Sequence, residues 1–181
     1  MLAGSAWVAA AGAALKSTER FTLTELEHAP QMEPREFANL FELFRYNYYP
    51  YVQKVDNFLE YRDGDCDDYA ILADHVLSGK GFHTRIVRVS MAGSDVAHVI
   101  CYVSEKKAYL DYNNRKYAVN LERAGPTLRQ IAAKVADSFE KNWTSATEYT
   151  FSYTGYKKTN RFTVVKTDPP ERDPDRQSTL P

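Results

Sequence analysis

Between Asp65 and Tyr112 the chain passes from one capped helix into three β-rich segments, and this order constrains the fold more than any other feature. Asp65 to Ser78 is predicted as a helix. Asp65 suits the N-cap, Asp68 three positions on completes a capping-box-like pair, and Gly79 and Gly81 stop the run. The segments Thr84 to Ser90, Ala97 to Val103 and Ala108 to Tyr112 are β-branched or aromatic and read as strands.

An earlier helix is expected from Glu33 to Tyr49, where Phe37, Leu40, Phe41 and Phe44 share a face, Pro34 suits the first turn and Pro50 closes the pattern. Thr127 to Phe139 reads as a third helix, with Leu128, Ile131, Ala132 and Val135 on one side. Glu148 to Tyr153 and Arg161 to Lys166 alternate apolar with polar residues, as late strands do. Helices followed by a mostly antiparallel sheet make an α+β domain. There are no internal repeats.

Length and composition agree with one domain and ragged ends. The chain has 181 residues, 44% hydrophobic and 26% charged, as in an ordinary soluble protein. A net charge of −1 without any block of like charge leaves no footprint for nucleic acid or an anionic membrane. The domain is placed at residues 31–167. Residues 168–181, with four prolines and many charges, are expected to be a disordered tail. Residues 1–30 form an N-terminal segment whose first 15 residues are small and apolar. They fit an export-signal remnant, with Ser5 where a lipobox has cysteine, and equally an Ala-rich terminal helix. The stretch is short for a membrane span. An exported or periplasmic location follows from the first reading, a cytoplasmic one from the second.

Two cysteines, Cys66 and Cys101, cannot supply a CxxC-type zinc site, and a domain of this size needs no disulfide. Cys101 lies in the apolar run Val99 to Val103 and reads as a packing residue. Cys66 is different. If Asp65 is the cap, Cys66 is the first helical residue, where free N–H groups and the helix dipole favour a thiolate and could receive an oxyanion. Asp65, Asp67 and Asp68 oppose that charge, so a thiolate there requires a nearby cation, most naturally an imidazolium.

His98 and Asp111 supply the pair. Strand alternation puts His98 on the side of Ile100 and Tyr102, and Asp111 on the side of Tyr109. A two-residue connection between the strands sets 98 opposite 111, a four-residue one makes them diagonal neighbours, and a three-residue one separates them onto opposite faces. The absence of Gly or Asn from Ser104-Glu105-Lys106-Lys107 favours four. The aspartate would then orient the imidazole and stabilise its charged form.

The segments Gly64-Asp65-Cys66-Asp67-Asp68-Tyr69-Ala70, Gly81-Phe82-His83-Thr84-Arg85, Ala97-His98-Val99 and Tyr109-Leu110-Asp111 follow one pattern. It resembles the transglutaminase-like core, particularly the bacterial transglutaminase-like cysteine proteinases, over about residues 50 to 115. The resemblance implies a papain-like α+β fold in which Cys66 is the nucleophile, His98 the base and Asp111 the orienting acid. It implies an oxyanion partner upstream of the cysteine, for which Gln53 fits slightly better than Tyr51. Many members carry an aromatic residue after the histidine, where this chain has Val99. Some bacterial members bind calcium through acids beside the cysteine. Asp65, Asp67 and Asp68 are ligands of that kind, although three acids fall short of a full shell and a solvated capping cluster is the preferred reading.

His28, His75 and His83 have no spacing partner and read as structural or surface residues, His28 in a charged, flexible stretch. Trp143 and the tyrosines from Tyr149 to Tyr156 read as core that could also line a groove. The expectation is a cysteine peptidase acting on protein or peptide amides, with no required cofactor and calcium as an optional one. The alternatives are a transglutaminase on the same triad and a non-catalytic binding module. The sequence fixes no oligomeric state.

Overall fold

The computed structural model describes residues 15–30, 32–114 and 121–167; the first 14 residues and the expected tail lie outside them. The helices are α1 (Leu23–His28), α2 (Pro34–Leu40), α3 (Val55–Tyr61), α4 (Cys66–Gly79) and α5 (Leu128–Ser138). The strands are β1 (Arg45–Tyr46), β2 (Asp63–Gly64), β3 (Thr84–Met91), β4 (His98–Val103), β5 (Ala108–Leu110), β6 (Leu121–Arg123), β7 (Trp143–Ser152) and β8 (Lys157–Val165). Strands β3 to β8 form an antiparallel sheet in the order β6-β5-β4-β3-β7-β8.

Helix α4 starts and stops by its own sequence. The Asp65 carboxylate accepts the Asp67 amide, and Asp68 reaches back to the Asp65 amide at 3.2 Å, closing a capping box. At the other end Gly81 takes φ +89°, so that its amide reaches Ser78 and the Phe82 amide reaches Leu77, a Schellman closure that needs a left-handed residue. The helix lies along β4 and β3 and buries Tyr69, Ala70, Ile71, Leu72, Ala73, Val76 and Leu77.

Both faces of the sheet are covered, which is why every residue of β4 is buried. On one face α1 to α4 enclose a core that includes Phe37, Phe41, Phe44, Phe58, Tyr69 and Tyr112. Their rings pack edge-on, tilted or stacked, such as Phe41 tilted on Phe44 at 4.7 Å and stacked on Phe58 at 5.8 Å. Burying each such ring contributes about 1.5–3 kcal/mol. On the other face α5 seals Val87, Val89, Ile100, Tyr102 and Tyr109 with Ile131, Ala132 and Val135.

Several boundaries differ from expectation. The helix expected from Glu33 to Tyr49 ends at Leu40. Phe41 and Phe44 are buried as its face required, but residues 45 and 46 become β1, parallel to β2. The amides of Arg45 and Asn47 bond to the carbonyls of Arg62 and Gly64, a pairing no local pattern announces. The late strands extend into a long β7–β8 hairpin, whereas β5 stops one residue before Asp111. His28 is helical in α1 rather than in a flexible stretch. His75 and His83 have partners, Glu27 at 2.7 Å and Glu105 at 2.5 Å. Phe21 and Leu26 join the first core.

Candidate active site

Cys66, His98 and Asp111 come together where α4 begins, β4 begins and β5 has just ended. All three are buried, at 7%, 5% and 1% exposure. The β4–β5 connection has the four-residue form, a short 3-10 turn followed by Lys107 at φ +47°, and Val103 pairs with Ala108. Continued by two positions, that register makes His98 and Asp111 diagonal neighbours. His98 Nε2 lies 3.0 Å from Asp111 Oδ1. The same oxygen accepts the Asn113 amide at 2.8 Å, which fixes the carboxylate from below.

That contact occupies Nε2, and Cys66 is near enough for its thiol to act on the ring. Burial would depress the ring's pKa. The charge and hydrogen bond of Asp111, with the contribution of Cys66, outweigh it and push His98 from 6.5 up to about 10. The imidazole is therefore charged at neutral pH. Phe139, the C-cap of α5, packs edge-on against it at 4.7 Å. Cys101, wholly buried in β4, is pushed well above an ordinary thiol by burial.

Gln53 lies beside the start of α4. Its side-chain amide donates to the Asp63 carbonyl at 3.0 Å and to Asp68 Oδ2 at 2.9 Å, and its backbone N–H donates to Asp68 Oδ1. It pins the loop before α3 to the start of α4. Tyr51, at 62% exposure, leans on Tyr49. Two donors remain. One is the Cys66 amide itself, since the Asp65 cap takes the amides that follow. The other is Tyr46 on β1, paired with Gly64 two residues before Cys66 and packed at 5.7 Å on Tyr112, the neighbour of Asp111. Burial and then the charges of Cys66, Asp65, Asp111 and Asp67 push its phenol upward. Sequence reasoning missed Tyr46 and Phe139, because each arrives through a pairing or a helix end remote in the chain.

Asp65, Asp67 and Asp68 offer carboxylate oxygens within 4.8 Å of one another. Asp65 and Asp68 also accept the amides of Tyr49 and Gln53. Asp67 Oδ1 is buried without a partner among the described residues. Burial, and then Asp65 and Asp68, push Asp67 up to about 8. A hard oxygen set with crowded charge and one orphaned oxygen fits a Ca²⁺ ion, which takes 6–8 such ligands, but supplies only part of its shell.

The family model described as a transglutaminase-like domain matches residues 20–123, more than half of the chain. The chain belongs to that family. The transglutaminase-like match spans α1 through β6 and so includes Cys66, His98 and Asp111. Among solved structures the chain is similar to Legionella pneumophila LapG in two forms. The calcium-bound form is 17% identical over 68% of each chain with TM-score 0.43, and the EGTA-treated form 16% identical over 76% of each with TM-score 0.46. No curated protein matches.

Proposed function

We propose that this transglutaminase-like chain is a cysteine-nucleophile acyl-transfer enzyme, a peptidase acting on protein or peptide amides through Cys66, His98 and Asp111. The observation that carries the reading is the buried imidazole of His98, held by Asp111 at 3.0 Å and raised in pKa by Asp111 and by the nearby Cys66. His98 takes the thiol proton, and Asp111 keeps it there through neutral pH. The sulfur attacks the amide carbonyl, and the oxyanion falls to the Cys66 amide with Tyr46 beside it. His98 returns the proton to the leaving amine, and water then resolves the thioester. Acylation is the same step whether water or an amine completes the turnover.

Asp65, Asp67 and Asp68 would hold calcium if the protein takes it up. The ion would neutralise their crowded charge at the start of α4. Among the described residues no helix is long and apolar enough to cross a membrane. An exported location, suggested by the apolar first residues, belongs to the same proposal.

The test is Cys66→Ala and His98→Ala, assayed against the parent for new protein termini. Both should fold and both should lose cleavage; retained cleavage in either overturns the proposal.

A further inference from the structure

The sheet face under α4 continues past the helix start, and there it carries two cations that form no ion pair among the described residues. Arg88 on β3 lies across from Val99, the residue after His98, on β4 and from Thr147 on β7. Ile86 and Tyr149, two positions away on the same strands, belong to the α4-side core that also contains Cys66. Arg88 therefore points to the cysteine's side of the sheet. On β8, Lys158 sets its ammonium 3.7 Å over the buried ring of Tyr149. Arg88, Lys158, Thr147 and Asn160 line a cavity of about 440 Å³.

Among the described residues no carboxylate lines it. Among the described residues neither Arg88 nor Lys158 forms an ion pair. Glu148 points to the opposite face, bound to Arg85 at 2.7 Å. Asp67, whose charge acts on Lys158, forms no ion pair with it. Thr147 spends its hydroxyl on Thr163 at 3.0 Å. Burial and then the charge of Arg88 hold Lys158 below its ordinary value, so the two cations strain against each other. Tyr149, under the Lys158 ammonium, belongs to the same core as Cys66, on the nucleophile's side of the sheet.

Resting on the assignment of Cys66 as nucleophile, we propose that Arg88 and Lys158 form a subsite for a carboxylate of the substrate. The acyl donor is then a peptide with an acidic side chain, or its own free C-terminus, close to the bond attacked. A carboxylate between the two cations would relieve their repulsion and satisfy the guanidinium with charge-assisted hydrogen bonds.

The experiment is an NMR titration of ¹⁵N-labelled Cys66→Ala protein with three tripeptides. One is end-capped Ala-Glu-Ala, one end-capped Ala-Gln-Ala, and one Ala-Gln-Ala with only its C-terminal carboxylate free. One of the two acidic peptides should bind about tenfold more tightly than the neutral one, the size expected for a charge-assisted contact. Which of them does so separates a side-chain carboxylate from a chain terminus. The shifts should centre on residues 86–90 and 157–161, and Arg88→Gln or Lys158→Gln, added to that protein, should reduce the preferred peptide to the neutral affinity. Equal affinities, no binding by any of the three, or a preference that survives Arg88→Gln overturns the subsite. Iodoacetamide labelling of the parent judges the nucleophile separately. An inert Cys66 with the preference intact sinks the catalytic reading alone, and a reactive Cys66 without the preference sinks the subsite alone.

Discussion

His98 and Asp111 meet diagonally across the β4–β5 hairpin, Nε2 to Oδ1 at 3.0 Å, because a four-residue turn fixes their strands in that register. The contact turns a half-neutral ring into a lasting cation. Asp111→Asn should remove the charge that sustains it and lower kcat by ~10²- to 10⁴-fold while the protein still folds. The alkaline limb of kcat/KM, expected near pH 10 in the parent, should move to lower pH. A limb unmoved in Asp111→Asn would assign it to another group.

The same shift makes a prediction for stability. The folded state binds the His98 proton more tightly than the unfolded chain does, whose ordinary value is 6.5. The contribution is therefore full below pH 6.5 and is lost as pH rises through about 10. His98→Ala should flatten the decline in melting temperature between those values. An unchanged slope would mean that the pair is not charged as described.

Cys66 should react far faster than Cys101 with iodoacetamide near neutral pH. Cys66 opens a helix beside an imidazolium, and Cys101 is fully buried with its thiol pushed up. Peptide mapping after partial labelling checks this, and equal labelling would count against it.

Much of this arrangement was legible because it is local. The Asp65 cap, the Gly81 stop and the alternation along β4 all follow from neighbours within a few residues, and they place Cys66 and His98. The capping box from Thr22 to Glu25, which starts α1, is equally local. What the chain could not announce is non-local. The β1–β2 pairing, which ends the second helix early and brings in Tyr46, depends on residues 18 positions apart. Gln53 looked free because its partner Asp68 lies across a turn and a helix.

Gly64 offers a test of that pairing. A Cβ there would sit 2.5 Å from the Phe58 ring and 2.8 Å from Asp68 Oδ2. Gly64→Ala should cost about 1–3 kcal/mol and slow the reaction of Cys66, two residues on. Chemical denaturation measures the first and iodoacetamide kinetics the second. A variant as stable and as reactive as the parent would show that the loop yields freely.

Calcium should raise the melting temperature, and a chelator should reverse the rise. The effect should grow with pH through about 8, where Asp67 gives up its proton. Asp67→Asn should abolish it. No shift at millimolar calcium would leave Asp65, Asp67 and Asp68 as capping residues.

The central claim is that Cys66 performs acyl transfer on a protein substrate. The direct measurement is mass spectrometry of a lysate from the source cell, treated with parent or Cys66→Ala protein in the presence of a labelled amine. New protein termini that form only with the parent are the predicted result, and labelled glutamines would point to amine transfer by the same thiol. Identical products from the two proteins, with the same partner captured by both, would contradict the account and make the chain a binding module.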